Sequence, residues 1–200
     1  MTATIPIAPQ FQTSLRLMTE EEYLAFEIPS EVRHEFINGK IIDIPGESLH
    51  NNKISKRLTR LLDTQIEANG FESYLLVARV RISNDAEEIA RYHYPDVVVT
   101  GENEPDTRMV QFPSLIAEVL SPSTEWMDRG KKMREYKSIP SLHYYLLVSA
   151  EEMQVEVYRR SGKSWLVDDY SNVDDVIDLS LIGATVRVGD IYEGVVLPSI

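Results

Sequence analysis

Apolar and polar positions along this 200-residue chain follow two periods in turn, and the changes between them predict the order of elements. Thr19-Glu20-Glu21-Glu22 has the form of a capping box, in which a threonine hydroxyl and a glutamate three residues on satisfy each other's amides. Tyr23, Leu24 and Phe26 then supply the apolar stripe of a short helix that Pro29 ends. Asn38-Gly39 separates two β-prone runs, His34 to Ile37 and Lys40 to Ile44, and suits the positive φ angles of a two-residue hairpin turn. The longest helix is expected from Ser48 to Asn69. There Ile54, Leu58, Leu61, Leu62 and Ile66 recur at three- and four-residue spacing, and Gly70 stands where a C-terminal cap belongs.

Three strands follow, from Tyr74 to Ile82, Tyr94 to Thr100 and Ser114 to Leu120. A polar turn, Asp85 to Ala90, and a loop, Gly101 to Arg108, connect them. Pro122-Ser123-Thr124 breaks the third strand and opens a helix from Trp126 to Lys137, which Ile139-Pro140 closes. His143 to Val148 reads as another strand, Met153 to Arg160 and Ser164 to Asp169 as a meander, and Val176 to Val196 as a β-prone, edge-like tail. Strands, a crossover helix and a further strand predict an α/β chain of the α+β kind: a mixed central β-sheet flanked by helices, with a C-terminal β meander. No repeat or linker divides it, so the expected organisation is a flexible N-terminal arm over residues 1–17 and a single domain over 18–200.

Composition narrows the partners. There is no cysteine, which excludes disulfides and thiolate metal sites and fits a reducing compartment. The first ten residues lack a basic, then apolar, leader, and no run approaches the length of a membrane span. The expected location is cytoplasmic, with no membrane partner. A net charge of −12 argues against coating nucleic acid by bulk electrostatics, but leaves room for a local basic groove. Basic residues concentrate at Lys53 to Arg60 and Arg129 to Lys137. Lys53, Lys56, Arg57 and Arg60 share one helical face, either solvated or in contact with phosphates; Lys53, Arg57 and Arg129 are the candidates for nucleic-acid contact.

The candidate chemistry sits on two apolar strands. Tyr94-Pro95-Asp96-Val97-Val98-Val99 places a carboxylate at the start of one, and Ile116-Ala117-Glu118-Val119-Leu120 places another inside its neighbour. Burying an unpaired carboxylate costs several kcal/mol, roughly, so the pair needs a basic partner or a shared hard cation such as Mg²⁺ or Mn²⁺. Pro-Asp before a strand is also an ordinary strand start, and Glu118 could equally serve a buried salt bridge. Histidines at 34, 50, 93 and 143 have no zinc-ligand spacing.

Pro95-Asp96 and Glu118, with the helix after them, resemble the PD-(D/E)XK nuclease superfamily, although Leu120 stands where that pattern has lysine. The run from Glu118 through Ser121-Pro122-Ser123-Thr124, then Asp128-Arg129-Gly130-Lys131-Lys132 and Tyr136, with Glu35 to Gly39 and His50, is similar to the Uma-two family of restriction-endonuclease-like proteins. In that family the lysine lies on the helix after the glutamate strand, and Lys132 matches it. The resemblance implies a restriction-endonuclease-like core and metal-dependent hydrolysis of phosphodiester bonds, with DNA as substrate and a homodimer as the acting form. It implies Asp96 and Glu118 as ligands of Mg²⁺ or Mn²⁺, the Val119 carbonyl as a further oxygen, and Lys132 as the group that positions water or stabilises charge. Glu35 becomes an auxiliary acid, and His50 and Asp128 peripheral candidates.

Neighbouring helix positions differ by about 100°, so only one of Lys131 and Lys132 can face the sheet. Lys132 lies one turn before Tyr136, which is expected in the core, and shares its face better. Asp128, four residues before Lys132, could pair with it or cap the helix. Two rival readings stay open: a protein that keeps the fold but only binds nucleic acid or a protein partner, and a hydrolase of some other phosphate ester.

Overall fold

The computed structural model describes residues 17–44, 46, 48–83, 90–101, 104 and 108–198. The expected arm, apart from Leu17, lies outside these residues, as do most of the polar turn at 85–90 and part of the loop at 101–108. Helix α1 (Glu20–Glu27) starts on the expected capping box: the Thr19 hydroxyl accepts from the Glu22 amide at 3.2 Å, and Glu22 accepts from the Thr19 amide at 3.0 Å. Of the expected stripe only Tyr23 is fully buried; Phe26 is exposed and Glu27 turns inward instead. That carboxylate accepts from the His34 backbone at 3.0 Å and pairs with its ring at 2.8 Å.

Strands β1 (His34–Ile37) and β2 (Lys40–Asp43) form the expected hairpin, with φ of 52° at Asn38 and 78° at Gly39. Helix α2 (Leu49–Ile66) is capped by Ser48, whose hydroxyl accepts from the Asn51 amide at 3.0 Å. A 3₁₀ turn, Glu67–Asn69, then ends at Gly70 in the left-handed conformation.

One expected strand is broken in two and another starts late. Residues 74–82 divide into β3 (Glu72–Leu75) and β4 (Arg79–Ile82), which join different sheets. Between them Leu76 takes φ 58°; its amide donates to the Asp96 carbonyl at 3.0 Å, and its own carbonyl accepts from Arg33. The strand expected over 94–100 starts only at Val97: β6 (Val97–Thr100) is preceded by a separate strand, β5 (Arg91–His93), and Asp96 falls at the corner between two sheets. A leucine at positive φ whose amide bonds a distant carbonyl and whose carbonyl bonds a distant guanidinium is a tertiary arrangement that apolar periodicity cannot signal.

After β7 (Met109–Val110) and β8 (Pro113–Leu120), the crossover helix comprises α3 (Glu125–Met127), a π-helical turn (Asp128–Lys132) and α4 (Met133–Lys137). Strands β9 (Tyr144–Ser149), β10 (Val155–Ser161) and β11 (Ser164–Tyr170) follow, then β12 (Val176–Leu179), β13 (Ala184–Arg187) and α5 (Val188–Ile191). A six-stranded sheet runs β11-β10-β9-β8-β6-β3, with β8 and β9 parallel across the helical crossover and the other neighbours antiparallel. A five-stranded sheet runs β2-β1-β5-β4-β7. The mixed sheet flanked by helices is the expected fold class, with this second sheet beside it.

One face of the six-stranded sheet packs on α2 and the C-terminal segment. The tail is a hairpin of its own, not an edge of the main sheet: Ile177, Leu179, Ile182, Val186, Val188 and Ile191 are buried in one core with Ile54, Leu58, Leu62 and Ile66. The other face packs on α4, through Ile116, Leu120, Tyr136, Ile139 and Tyr145. Arg160 of β10 closes the end of α4, donating to the carbonyls of Lys137, Ile139 and Leu142 at 3.0, 2.6 and 2.6 Å while stacking over Trp165.

Candidate active site

The site follows from strand periodicity. Along β8, Leu115, Ala117 and Val119 face α2, so Ile116, Glu118 and Leu120 face the crossover helix. Strand β6 pairs antiparallel with β8, Val97 opposite Ala117 and Val98 opposite Ile116. Extending that register by one residue sets Asp96 opposite Glu118, on the same face. Asp96 Oδ2 accepts from the Val119 amide at 2.5 Å, and Asn51 Nδ2 donates to the Val119 carbonyl at 3.1 Å. Val119, the residue after Glu118, is therefore held at both its amide and its carbonyl.

Lys132 reaches this face from the helix. Its Nζ lies 3.1 Å from Glu35 Oε1, 3.2 Å from Glu118 Oε1 and 3.3 Å from Asp128 Oδ1. Its side chain is 10 % exposed against 36 % for Lys131, which settles which lysine faces the sheet. The π-helical turn carries both Asp128 and Lys132, and such turns recur at functional sites. Tyr136, one turn on, donates its hydroxyl to Glu118 Oε1 at 3.0 Å, so the expected core residue also touches the cluster.

Charge is divided unevenly across the cluster. Burial alone would raise the Glu35 carboxyl, but Lys132 and His93 outweigh it and draw it down to about 2. Glu118 goes the other way: burial, reinforced by Asp128, Asp96 and Glu35, pushes it well above the usual carboxylate range against the pull of Lys132. Burial opposes the charge on Lys132, yet Glu118, Glu35 and Asp128 hold it well above its ordinary value. Glu118 is thus the carboxylate that one ammonium leaves under-compensated, and additional positive charge beside it is stabilising.

Two partners escaped the sequence reading. His93, fully buried, lies with Nδ1 3.2 Å from Glu35 Oε2 and Nε2 2.6 Å from Glu135 Oε2. Asn51 is the other. Neither has a signal in spacing, since each becomes relevant only through pairing with residues distant in sequence.

Asp96, Glu118, Val119, Asp128, Lys132 and Glu35 line a pocket of about 210 Å³, together with the hydroxyl-bearing Ser121, Ser123 and Thr124. A larger cleft of about 560 Å³, lined by Arg79, Tyr74 and Arg108 among others, shares Tyr94 with it but contains none of the expected site residues. The smaller pocket holds the donors. Among the described residues no three histidine, cysteine or carboxylate side chains are arranged to hold a metal ion by themselves; Glu35, Glu118 and Asp128 converge on the Lys132 ammonium instead. The groups that could hold a cation are two carboxylates, Asp96 and Glu118, and the Val119 carbonyl, which keeps a second lone pair beyond its bond from Asn51. An all-oxygen set with few protein ligands suits a hard ion such as Mg²⁺, which retains several waters.

A sequence model for the Uma2 family, described as "Putative restriction endonuclease", matches residues 20–188. The chain belongs to the Uma2 family. Two uncharacterized proteins of Synechocystis sp. are similar to this Uma2 chain. One is 34 % identical over 180 residues, covering 88 % of this chain and 92 % of the relative; the other is 35 % identical over 172 residues, covering 84 % and 95 %. The Uma2 fold also resembles the crystal structure of "a putative nuclease belonging to DUF820" from Anabaena variabilis, at TM-score 0.69 and 18 % identity, over 90 % of this chain and 99 % of that one.

The remaining expected residues lie apart from the Uma2 pocket. Lys53 donates to the Gly194 carbonyl, Arg57 pairs with Glu193 at 2.5 Å, and Arg129 pairs with Glu125 and Glu156, each at 2.5 Å. His50 is exposed near the start of α2. None of these four lines the pocket. No helix among the described residues is long and apolar enough to cross a membrane.

Proposed function

We propose that this chain is a divalent-metal-dependent endonuclease of the cytoplasm that hydrolyses phosphodiester bonds in DNA, with Asp96, Glu118 and Lys132 at its centre. One observation carries the reading: a buried ammonium, Lys132, is fixed among carboxylates beside Glu118, whose negative neighbours favour a further cation. The family's description as a restriction endonuclease favours DNA as the polymer.

Held by Asp96, Glu118 and the Val119 carbonyl, Mg²⁺ or Mn²⁺ would polarise a phosphate oxygen and lower the pKa of water. The protein's own groups do the rest. Lys132, within 3.2 Å of Glu118, offers a fixed positive charge to the oxygen that gains negative charge during attack. Glu35 and Asp128 keep that ammonium protonated and in place. Tyr136 orients Glu118 through its hydroxyl, and Asp96 and Asn51 fix the backbone amide and carbonyl of Val119, the residue that follows it. Ser121, Ser123 and Thr124 supply pocket hydroxyls suited to non-bridging phosphate oxygens.

The test is cleavage of DNA and RNA substrates with Mg²⁺ or Mn²⁺ by the wild type, Glu118→Ala and Lys132→Ala. DNA cleavage that disappears in both variants supports the reading. Activity that persists in both places the chemistry elsewhere, and preference for RNA overturns the polymer assignment.

A further inference from the structure

Lys132 is aimed by a carboxylate that is itself aimed. Glu35 presents Oε1 to Lys132 at 3.1 Å and Oε2 to His93 Nδ1 at 3.2 Å, the latter off the line of an ideal hydrogen bond. The opposite edge of the same imidazole meets Glu135 Oε2 at 2.6 Å, and Glu135 Oε1 lies 3.1 Å from Arg91 Nε, with Lys131 Nζ at 3.9 Å. The ring packs edge-on against Tyr136, centroids 5.5 Å apart, and Tyr136 bonds Glu118. One continuous row of alternating basic and acidic groups therefore runs from Lys132 through Glu35, His93 and Glu135 to Arg91.

Such a row has a mechanical meaning. A glutamate carboxylate turns readily about its last torsion, so a buried one keeps a single orientation only when both oxygens are engaged. Lys132 engages one oxygen of Glu35, and His93 engages the other. The strand pairing prepares this, because Phe36 of β1 pairs with Tyr92 of β5, bringing Glu35 and His93 together from neighbouring strands. Charge favours it as well. Three buried carboxylates, Glu35, Glu118 and Asp128, surround one ammonium, and His93, in contact with Glu35, is a second basic group beside them. The two ring nitrogens, each facing a different carboxylate, give His93 a bridging geometry that an amide side chain cannot reproduce.

We propose that His93 is a positioning residue of this site: by bridging Glu35 and Glu135 it locks the carboxylate that aims Lys132. The inference rests on the proposed hydrolytic role of Lys132, but the placement of the ammonium is measurable without any turnover. The probe is the Lys132 side-chain ¹⁵N resonance of metal-free protein, assigned by its absence in Lys132→Met. Wild type is expected to show a slowly exchanging ammonium signal, and His93→Gln to lose or broaden it while still unfolding cooperatively. With DNA and Mn²⁺, His93→Gln is expected to lower kcat by about ten- to a hundredfold and change KM by less than about threefold, as for a displaced group that acts only in the transition state.

An unchanged Lys132 signal in folded His93→Gln would overturn the proposal. If that variant does not fold, Glu135→Gln decides instead: it loosens the outer end of the row and is expected to broaden the same signal and lower kcat several-fold. An unaltered signal in Glu135→Gln is then the overturning result. Should wild type cleave nothing, the hydrolytic reading fails while the resonance still decides whether His93 positions the lysine.

Discussion

Glu118 Oε1 and Lys132 Nζ lie 3.2 Å apart, one on a central strand and the other on the helix that crosses over from it, and both are buried. The lysine thus reaches the glutamate across the layer between sheet and helix. It carries most of the positive charge that lets three carboxylates share this space.

Removing that charge should be costly. Lys132→Met leaves Glu35, Glu118 and Asp128 without their shared partner, and breaking a buried pair in this way typically costs about 3–5 kcal/mol. Urea unfolding of metal-free protein is expected to show a loss of that order. A loss below about 1 kcal/mol would mean the cluster is far better hydrated than its burial indicates.

Glu118→Gln should behave in the opposite sense. Because the folded protein pushes the Glu118 carboxyl well above its ordinary value, its negative charge is a liability at neutral pH, and a neutral amide of the same shape relieves it. Metal-free Glu118→Gln is expected to melt at or above the wild-type temperature, whereas Mn²⁺ should stabilise wild type alone. At a hundred times its dissociation constant a ligand contributes about 2.7 kcal/mol, well within reach of a thermal melt. An equal Mn²⁺ shift in both proteins would remove Glu118 from the ligand set.

Glu35 dictates an acid limb. Its carboxyl falls from an ordinary 4.5 to about 2 on folding, so its contribution is present above about pH 4.5 and is lost as pH falls towards 2. The full contribution is on the order of 3 kcal/mol, by the conversion of roughly 1.4 kcal/mol per unit. Stability of wild type and Glu35→Gln should therefore converge between pH 5 and about pH 2. A gap that stays constant across that range would show that Glu35 is not held ionised.

Arg160 predicts a stability effect remote from the pocket. Its guanidinium serves three carbonyls around the end of α4, a region where a helix leaves acceptors unsatisfied. Arg160→Ala is expected to cost about 2 kcal/mol or more, and Arg160→Lys to recover only part, because an ammonium cannot span the same carbonyls. Urea midpoints of the two variants check this.

Gly130, inside the π-helical turn, has no heavy atom within 4 Å of the position a Cβ would occupy, apart from its chain neighbours and its own helix's backbone. Gly130→Ala should be accommodated and raise stability by about 0.4–1 kcal/mol, through a less flexible unfolded chain. A lower melting temperature would show that the turn needs glycine for another reason.

Much of this was legible in local pattern. The capping box at Thr19, the Asn38-Gly39 turn and the stripe from Ile54 to Ile66 follow from chemistry within a few residues, and all three appear as expected. The grouping of Glu118 with Lys132 was also readable, since strand alternation and helical spacing each select a face. The break at Leu76 was not, because it depends on Arg33 and Asp96 gripping its backbone from elsewhere in the chain. Nor was the inward turn of Glu27, which replaces Phe26 in the interior because His34 waits there to bind it. On the long helix Lys53 donates to the Gly194 carbonyl and Arg57 pairs with Glu193, C-terminal partners that the helix's own spacing does not signal.

The π-helical turn separates two directional requirements that a regular helix would tie together. Each residue advances an α-helix by about 100°, and a π turn accommodates one residue more than the α-helical ladder does. Glu125–Met127 and Met133–Lys137 are therefore out of phase, so Thr124 can sit among the pocket hydroxyls while Lys132 and Tyr136 both address Glu118. Shortening the turn by one residue would restore an ordinary helix and rotate one half against the other, leaving either the hydroxyls or the ammonium facing away. Asp128–Lys132 works as a phase adjuster: its irregularity is what lets one short helix serve two bearings at once.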